Sequence, residues 1–197
     1  MKTALILTLG RIVICPLFLV IYLFYTNMGI SVTLMPYLLL LLLLICELSD
    51  AFDGFFARRQ KQVTELGKIL DPMADSIVRV SVFLTFTQGI IKLPLLLVLV
   101  FVVRDSVIST LRTLCALRGV ALAARMSGKL KAVLQAIAIF AILFLMIPYT
   151  LDYISLDCIR LVSFWIVFVT AVYTVLSGVE YLWFHRDAIK QSWKRIG

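Results

Sequence analysis

Four aspartates lie in one short stretch of the chain, DAFDGFFARRQKQVTELGKILDPMAD at residues 50–75. Asp50 and Asp53 begin the stretch, and Asp71 and Asp75 end it, so that each pair has the spacing of one helical face. Four carboxylates gathered at one site cannot all stay ionised without bound cations. Oxygen ligands with no neighbouring histidine or cysteine favour Mg²⁺, Mn²⁺ or Ca²⁺ over zinc. The stretch therefore predicts a pair of bridged divalent metals, a type of site that performs phosphoryl-group chemistry.

Residues without bulk accompany the aspartates at helical spacing. Gly54 and Ala57 follow the first pair and Gly67 precedes the second, and each shares the face of its pair. Small residues let a ligand lie against the helix, and Arg58 is placed to contact a phosphate. Carboxylates within membranes also occur in ion pathways, so a divalent-cation transporter is an alternative. That function gives no role to the small residues and the arginine.

The composition is that of a membrane protein. Of the 197 residues, 62% are hydrophobic and 15% are charged, whereas a soluble domain has about a quarter of its residues charged. The four cysteines lie in apolar runs without metal-ligand spacing, which predicts packing residues and no disulfides. No internal repeat or soluble segment interrupts the chain, so we expect one transmembrane domain over residues 1–197.

Six apolar runs are long enough to cross a bilayer, which needs about 20 residues per helix. They cover residues 12–28, 32–49, 73–91, 93–115, 130–150 and 159–184. Arg11 directly follows MKTALILTLG and interrupts its apolar run, and no convincing signal-peptide cleavage site comes after it. The segment is therefore predicted to be a retained interfacial helix. The expected fold is an all-α integral membrane protein of six transmembrane helices with a short N-terminal interfacial helix.

The basic residues orient this layout. Of the 19 lysines and arginines, only Lys92 and Arg160 fall near the far-side loops, and most others lie at 58–61, 118–131 and 185–195. The positive-inside rule then places both termini and the aspartates at the cytoplasmic face. Cytoplasmic loops facing anionic lipids explain the net charge of +8 better than a nucleic-acid partner does. The expected location is a bacterial inner (cytoplasmic) membrane.

The aspartate stretch follows the pattern D-x2-D-G-x2-A-R-x8-G-x3-D-x3-D at all eight fixed positions. This pattern resembles the signature of the CDP-alcohol phosphatidyltransferase family. The resemblance implies a divalent-metal pair, Mg²⁺ or Mn²⁺, and transfer of a phosphatidyl group from a CDP-linked lipid to an alcohol with release of CMP. It also implies partners among membrane lipids and a homodimer, which is common in the family.

The resemblance assigns roles by position. The metals are held by Asp50, Asp53, Asp71 and Asp75, and Asp75 is also the general base for the acceptor hydroxyl. The CDP-lipid is bound by Thr8, Gly54, Ala57, Arg58 and Gly67.

Basic residues further along the chain predict a second anion site. Arg104 and Arg112 are eight residues apart on one face of the fourth span, and buried arginines need anionic partners. Asp105 is adjacent to Arg104 in sequence and is expected to point elsewhere. Lys129 and Lys131 stand at the cytoplasmic start of the fifth span. Since arginine binds phosphate bidentately and lysine as a point charge, the four basic residues predict a pocket for a phosphorylated acceptor.

Three further segments, RDSVISTLR, SGKLKAVLQ and LSGVEYLWFHRD, resemble the branch of this family that joins CDP-diacylglycerol to sn-glycerol 3-phosphate. Three features depart from that branch. Asp105 replaces a usual glutamate and Ser76 a usual lysine. Ala4 and Leu5 stand where a proline–asparagine pair commonly precedes the threonine and arginine matched by Thr8 and Arg11. Inositol phosphate is an alternative acceptor that would satisfy the basic residues equally well. Serine and choline carry no phosphate and would leave those residues without an anion.

Two polar residues near the end of the sixth span complete the predictions. Glu180 is expected to pair with a basic residue in a structural role. His185, the one histidine of the chain, is predicted to be a surface residue at the membrane interface rather than a catalyst.

Overall fold

The computed structural model describes residues 2–59, 65–117, 125–186 and 189, with the side chains of all these residues except 2–9, 11–12, 50–59 and 65–73. Within these ranges the chain forms six helices and no strand. The helices are α1 (Lys2–Phe24), α2 (Met35–Arg59), α3 (Glu65–Thr85), α4 (Leu95–Leu117), α5 (Met126–Thr150) and α6 (Leu156–Phe184). Each predicted span corresponds to one of these helices, so the all-α prediction is confirmed.

The N-terminal segment is not a separate helix. Lys2–Phe24 is continuous, and Pro16 lies inside it. The sequence predicted a short interfacial helix leading into a first span, but neither Gly10 nor Pro16 ends the helix. Proline is tolerated inside apolar helices where neighbouring groups satisfy the freed carbonyl.

Two of the described helices, α5 and α6, are long and apolar enough to cross a membrane. Shorter apolar runs lie in α1 at Val13–Phe24 and in α2 at Met35–Ser49. These lengths and compositions fit a membrane protein, and the number of six spans stays a prediction.

The chain divides into two compact units. Unit 1 comprises Met1–Leu93 and Ile139–Ser163, and unit 2 comprises Pro94–Ala138 and Phe164–Gly197. The boundaries fall inside α5 and α6, so that each of these helices contributes to both units. Unit 1 holds the aspartate stretch, and unit 2 holds the basic residues predicted for the acceptor.

Unit 1 is built on α1, which packs against both α2 and α3. Phe18 and Tyr22 of α1 meet Phe86, just beyond α3, with centroid distances of 6.0 and 5.6 Å and edge-to-face rings. All three side chains are almost fully buried. Aromatic pairs of this geometry add to the stabilisation that burial alone provides.

The turn between α3 and α4 is held by side chains from other helices. The Tyr22 hydroxyl donates to the Gln88 carbonyl at 3.2 Å and accepts the Ile91 amide at 3.0 Å. Arg160 Nε donates to the Ile90 carbonyl at 2.9 Å. Gly89 has φ +63°, and a Cβ there would lie 2.8 Å from a Tyr22 ring carbon. Glycine is therefore required at this position by both backbone conformation and space.

Unit 2 buries polar side chains along with apolar ones. The buried face of α4 consists of Val98, Phe101, Asp105, Ile108 and Cys115. The buried face of α6 carries Thr170, Thr174, Ser177 and Tyr181, and the buried His185 follows directly after the helix. The three hydroxyls of Thr170, Thr174 and Ser177 donate to carbonyls of their own helix, which satisfies them as donors.

Candidate active site

The eight signature positions lie in two helices of unit 1. Residues 50–58 form the last turns of α2, and residues 67–75 belong to the first half of α3. The helical spacing on which the prediction depends is therefore present in the backbone. Apart from Asp75, the side chains of the signature residues lie outside those the structure describes, as does that of Thr8 in α1.

A buried cluster brings α2 and α3 together close to these aspartates. Cys46 of α2 and Val78 of α3 both join Cys15 of α1 in one apolar cluster. Cys46 lies four residues before Asp50, and Val78 lies three residues after Asp75. Because these offsets are about one helical turn, Asp50 and Asp75 each lie about one turn from the cluster along their own helix. The cluster thus positions the two helix segments that carry the aspartates.

Asp75 is the one aspartate of the signature with a described side chain. It is half-buried, within α3. Among the described side chains no group of three or more histidine, cysteine or acidic residues could hold a metal. The metal ligands predicted from the sequence, apart from Asp75, lie outside that set, so the metal site stays a prediction.

A buried ion cluster occupies unit 2. Lys131 Nζ of α5 lies 2.7 Å from both carboxylate oxygens of Asp105 in α4. The two side chains are only 3% and 8% exposed. Arg104 Nη1 donates to the same carboxylate at 3.1 Å. One carboxylate thus holds two cations, and the three groups together have one net positive charge.

The expectation that Asp105 points away from Arg104 is wrong. Adjacent residues leave a helix about 100° apart, but the arginine side chain is long enough to reach round to a neighbouring carboxylate. Asp105 also lies on the buried face of α4, where an ionised group requires a partner. Both cations within reach are therefore drawn to it.

Arg104 is enclosed by small and polar groups of the neighbouring helices. Its Nη2 donates to Ser177 Oγ of α6 at 3.2 Å. A Cβ on Gly178 would lie 3.1 Å from Arg104 Cγ, and a Cβ on Gly128 of α5 would lie 3.7 Å from Nη2. The two glycines therefore leave the space in which the arginine side chain lies between α5 and α6.

The other two predicted acceptor residues are placed differently. Arg112 lies two helical turns beyond Arg104, or about 12 Å along the axis of α4, and is half-buried. Lys129 is exposed, whereas Lys131 is buried, because residues two apart project from opposite sides of a helix. The structure brings Arg104 and Lys131 together on Asp105, but it does not bring Lys129 to that face.

Several buried polar groups of unit 2 did not enter the sequence prediction. Ser127 and Gln135 of α5 lie one turn before and one turn after Lys131, and the same face thus carries three polar residues. Ser127 Oγ, both Gln135 amide atoms and the Tyr181 hydroxyl are buried without a hydrogen-bond partner among the described residues. The four-residue spacing of Ser127, Lys131 and Gln135 was the signal that could have identified this polar face.

The end of α6 differs in part from expectation. Glu180 pairs with Arg125 Nη2 at 3.0 Å, which confirms the predicted pairing with a basic residue. His185 is buried, so its prediction as a surface residue is wrong. Its ring lies 4.3 Å from the Tyr181 ring, and its Nδ1 lies 3.0 Å from the Tyr181 carbonyl. The aromatic neighbours Tyr181 and Phe184 cover the imidazole.

An apolar groove runs beside Arg104 in unit 2. It has a volume of about 380 Å³ and is lined by leucine, valine, isoleucine and glycine residues of α4 and α6. Arg104 is its one charged lining residue. The ion cluster is thus bordered on this side by a surface suited to hydrocarbon.

The chain matches the family model described as CDP-alcohol phosphatidyltransferase over residues 1–176. It belongs to that family. It is 33% identical over 192 residues to the CDP-diacylglycerol–glycerol-3-phosphate 3-phosphatidyltransferase of Bacillus subtilis (strain 168), covering 94% of this chain and 96% of that protein. Proteins of the same name from Rickettsia typhi and Shigella flexneri are 33% and 30% identical, and cover 89% and 90% of this chain and 92% and 91% of their own lengths.

Proposed function

We propose that this chain transfers the phosphatidyl group of CDP-diacylglycerol to sn-glycerol 3-phosphate, yielding phosphatidylglycerol phosphate and CMP. The observation that carries the proposal is the complete eight-position signature on α2 and α3, two helices joined through Cys46 and Val78. The names of the similar proteins, which match over most of their length, support the same donor and acceptor.

The donor set of the signature fits a pair of hard divalent cations. Asp50, Asp53, Asp71 and Asp75 offer carboxylate oxygens, and the nearest cysteine in sequence, Cys46, is buried in the apolar cluster. These four aspartates would hold Mg²⁺ or Mn²⁺. When bound, such cations stabilise the negative charge that develops on the leaving phosphate.

Asp75 would act as the general base. An alcohol is a poor nucleophile at neutral pH and needs a base within hydrogen-bond reach. Asp75 accepts the proton of the acceptor hydroxyl while the hydroxyl oxygen bonds to the lipid-linked phosphorus. The bond from this phosphorus to the bridging oxygen breaks, and CMP leaves with the electron pair.

The CDP-lipid would lie against the small residues of the signature. Gly54, Ala57 and Gly67 leave the helix surfaces free of bulk, and Arg58 supplies a cation for the diphosphate. Thr8 of α1 would add a hydroxyl to this nucleotide site, since α1 packs against both helices that carry the signature.

The acceptor phosphate would be bound in unit 2 by Arg104, Arg112 and Lys131, while Lys129, which projects from another side of α5, would act from a distance through its charge. Asp105 orients Arg104 and Lys131 and leaves the three groups with one net positive charge. A phosphate dianion is attracted to that residual charge, to which Arg112 and the exposed Lys129 add. Acceptors such as serine or choline carry no phosphate that this site could bind.

We also propose that the chain works as a homodimer in a bacterial inner membrane, with the signature helices opening to the cytoplasm. The concentration of lysine and arginine near residues 58–61, 118–131 and 185–195 supports that orientation.

The test is an acceptor panel with purified protein in proteoliposomes. The vesicles contain CDP-diacylglycerol, and glycerol 3-phosphate, inositol phosphate, serine or choline is supplied with Mg²⁺. We expect metal-dependent CMP release and a new anionic lipid with glycerol 3-phosphate alone. Release with inositol phosphate in its place would reassign the acceptor, and divalent-cation flux without CMP release would indicate a transporter.

A further inference from the structure

The side-chain amide of Gln135 in α5 is buried and makes no hydrogen bond to the described residues. The residue is 1% exposed, and neither its Nε2 nor its Oε1 has a hydrogen-bond partner among the described residues. A primary amide can make up to four hydrogen bonds, and an apolar side chain of similar size would avoid the loss of all of them. A buried group of this kind calls for a specific explanation.

The position of Gln135 relates it to the ion cluster. It lies four residues beyond Lys131 on the same buried face of α5, a rise of about 6 Å along the helix axis. The Tyr181 hydroxyl and Arg104 Nε of the same unit are likewise buried without a partner among the described residues. In the described part of unit 2, several buried polar atoms thus have no hydrogen-bond partner.

We propose that the Gln135 amide binds the middle hydroxyl of the phosphorylated polyol acceptor and so determines acceptor specificity. The inference depends on the proposed function, in which the phosphate of glycerol 3-phosphate is held at Lys131. The middle hydroxyl is separated from that phosphate by two carbons and one ester oxygen. This span is comparable to the rise of about 6 Å between Lys131 and Gln135.

The chemistry of an amide suits this role better than that of a charged group. An amide donates through Nε2 and accepts through Oε1, which matches a hydroxyl that also does both. It is uncharged, so it does not repel the phosphate bound one turn away. A site built to bind a hydroxyl discriminates against the analogue that lacks it, because its polar atoms are then left unpaired.

The test combines two acceptors with two proteins. Glycerol 3-phosphate is compared with 3-hydroxypropyl phosphate, which keeps the phosphate and a terminal hydroxyl but lacks the middle one. The variant Gln135→Met keeps the size of the side chain and removes its polar atoms. The quantity measured is the ratio of kcat/KM for the two acceptors, from CMP release in proteoliposomes.

Wild-type protein is expected to prefer glycerol 3-phosphate by roughly tenfold to a hundredfold, the usual effect of leaving a buried polar group unpaired. In Gln135→Met the ratio of the two kcat/KM values is expected to fall to near one. The variant should lose activity with glycerol 3-phosphate and keep most of its activity with the analogue. Its thermal midpoint without substrate should equal or exceed that of wild type.

Ser163→Ala is the matched control, since Ser163 Oγ in unit 1 is also buried without a partner among the described residues. This control should keep the wild-type ratio.

An unchanged ratio in Gln135→Met would overturn the inference while leaving the proposed reaction intact. Failure of wild-type protein to release CMP with glycerol 3-phosphate would instead refute the proposed acceptor, and the inference with it. If Gln135→Met does not accumulate as folded protein, Gln135→Asn replaces it. Asparagine withdraws the amide by one methylene, so its ratio should also fall, and a wild-type ratio would again count against the inference.

Discussion

Lys131 Nζ lies 2.7 Å from both carboxylate oxygens of Asp105, and the two side chains connect α5 to α4 inside unit 2. The Lys131 ammonium and the Asp105 carboxylate are both too deeply buried for water to take the place of the other group. The pair also receives Arg104 at 3.1 Å. The cations assigned to the acceptor are therefore oriented before any acceptor arrives.

Replacing Asp105 should destabilise the protein. In Asp105→Asn the Lys131 ammonium and the Arg104 guanidinium lose their shared carboxylate while they stay buried. Removing one partner of a buried ion pair costs about 3–5 kcal/mol. The measurement is thermal unfolding of the purified protein in detergent. The double variant Asp105→Leu with Lys131→Met removes a charge of each sign and should recover much of the loss. A single variant as stable as wild type would contradict this account.

Gly178 and Gly128 offer a matched pair of variants around Arg104. A Cβ at Gly178 would lie 3.1 Å from Arg104 Cγ and requires this side chain to shift by a few tenths of an ångström, whereas a Cβ at Gly128 would make an ordinary 3.7 Å contact with Nη2. Gly178→Ala is expected to raise the KM for glycerol 3-phosphate about threefold to tenfold. Gly128→Ala should change this KM less than about twofold. Equal KM values in the two variants would show that the position of Arg104 does not affect acceptor binding.

The cationic residues should differ in their effects on the acceptor. Arg112→Ala removes a half-buried guanidinium, and we expect the KM for glycerol 3-phosphate to rise roughly tenfold to a hundredfold. Lys129→Ala removes an exposed charge that water screens, so its effect should be smaller. The KM for CDP-diacylglycerol is measured alongside and should be nearly unchanged in both variants. A larger effect for Lys129 than for Arg112 would refute this ranking.

Metal dependence follows from the aspartate signature. Asp50→Asn, Asp53→Asn and Asp71→Asn should each abolish most of the activity, because an amide oxygen carries no charge and binds a hard cation more weakly than a carboxylate does. Chelation of the wild type should do the same, and added Mg²⁺ should restore turnover. Turnover that persists undiminished after thorough chelation would rule out the metal pair.

Asp75 should separate binding from turnover. In Asp75→Asn three aspartates remain, so metal-dependent affinity for CDP-diacylglycerol should persist while kcat falls by about 10²–10⁴-fold. Calorimetry and CMP release on one preparation measure both. Near wild-type turnover would mean that another group is the base, and joint loss of binding and turnover would assign Asp75 to the metals alone.

The sequence predicted the order of the six long helices, because long apolar runs separated by polar loops leave few alternatives, but it wrongly predicted a separate N-terminal helix in place of the continuous α1. The apolar runs alone underestimated the lengths of α2 and α3, whereas the helical spacing of the aspartates correctly extended both helices. The second span was expected to end at residue 49 and the third to begin at 73, but α2 continues to Arg59 and α3 begins at Glu65. Apolar runs measure the part of a helix that suits hydrocarbon, and these helices continue beyond it into polar residues.

The positions of the candidate site residues could be predicted where residue spacing along the sequence was sufficient. The four aspartates follow helical periodicity and a known pattern, so their helices could be assigned without coordinates. The Arg104–Asp105 contact depended on how far a long side chain can reach. The burial of His185 depended on neighbouring rings, and the unpaired amide of Gln135 depended on what surrounds it among the described residues. None of these three properties is encoded in residue spacing.

The turn between α3 and α4 also constrains the order in which the chain can mature. Its carbonyls and amides are bound by Tyr22, near the beginning of the chain, and by Arg160, near its end. When the ribosome has made the first four helices, Arg160 has not yet been synthesised. The Ile90 carbonyl then lacks the hydrogen bond that it accepts from this guanidinium in the finished protein. This hydrogen bond of the turn therefore forms only after the beginning of α6 has been synthesised. The last helix therefore completes a part of the structure that was synthesised some 70 residues earlier.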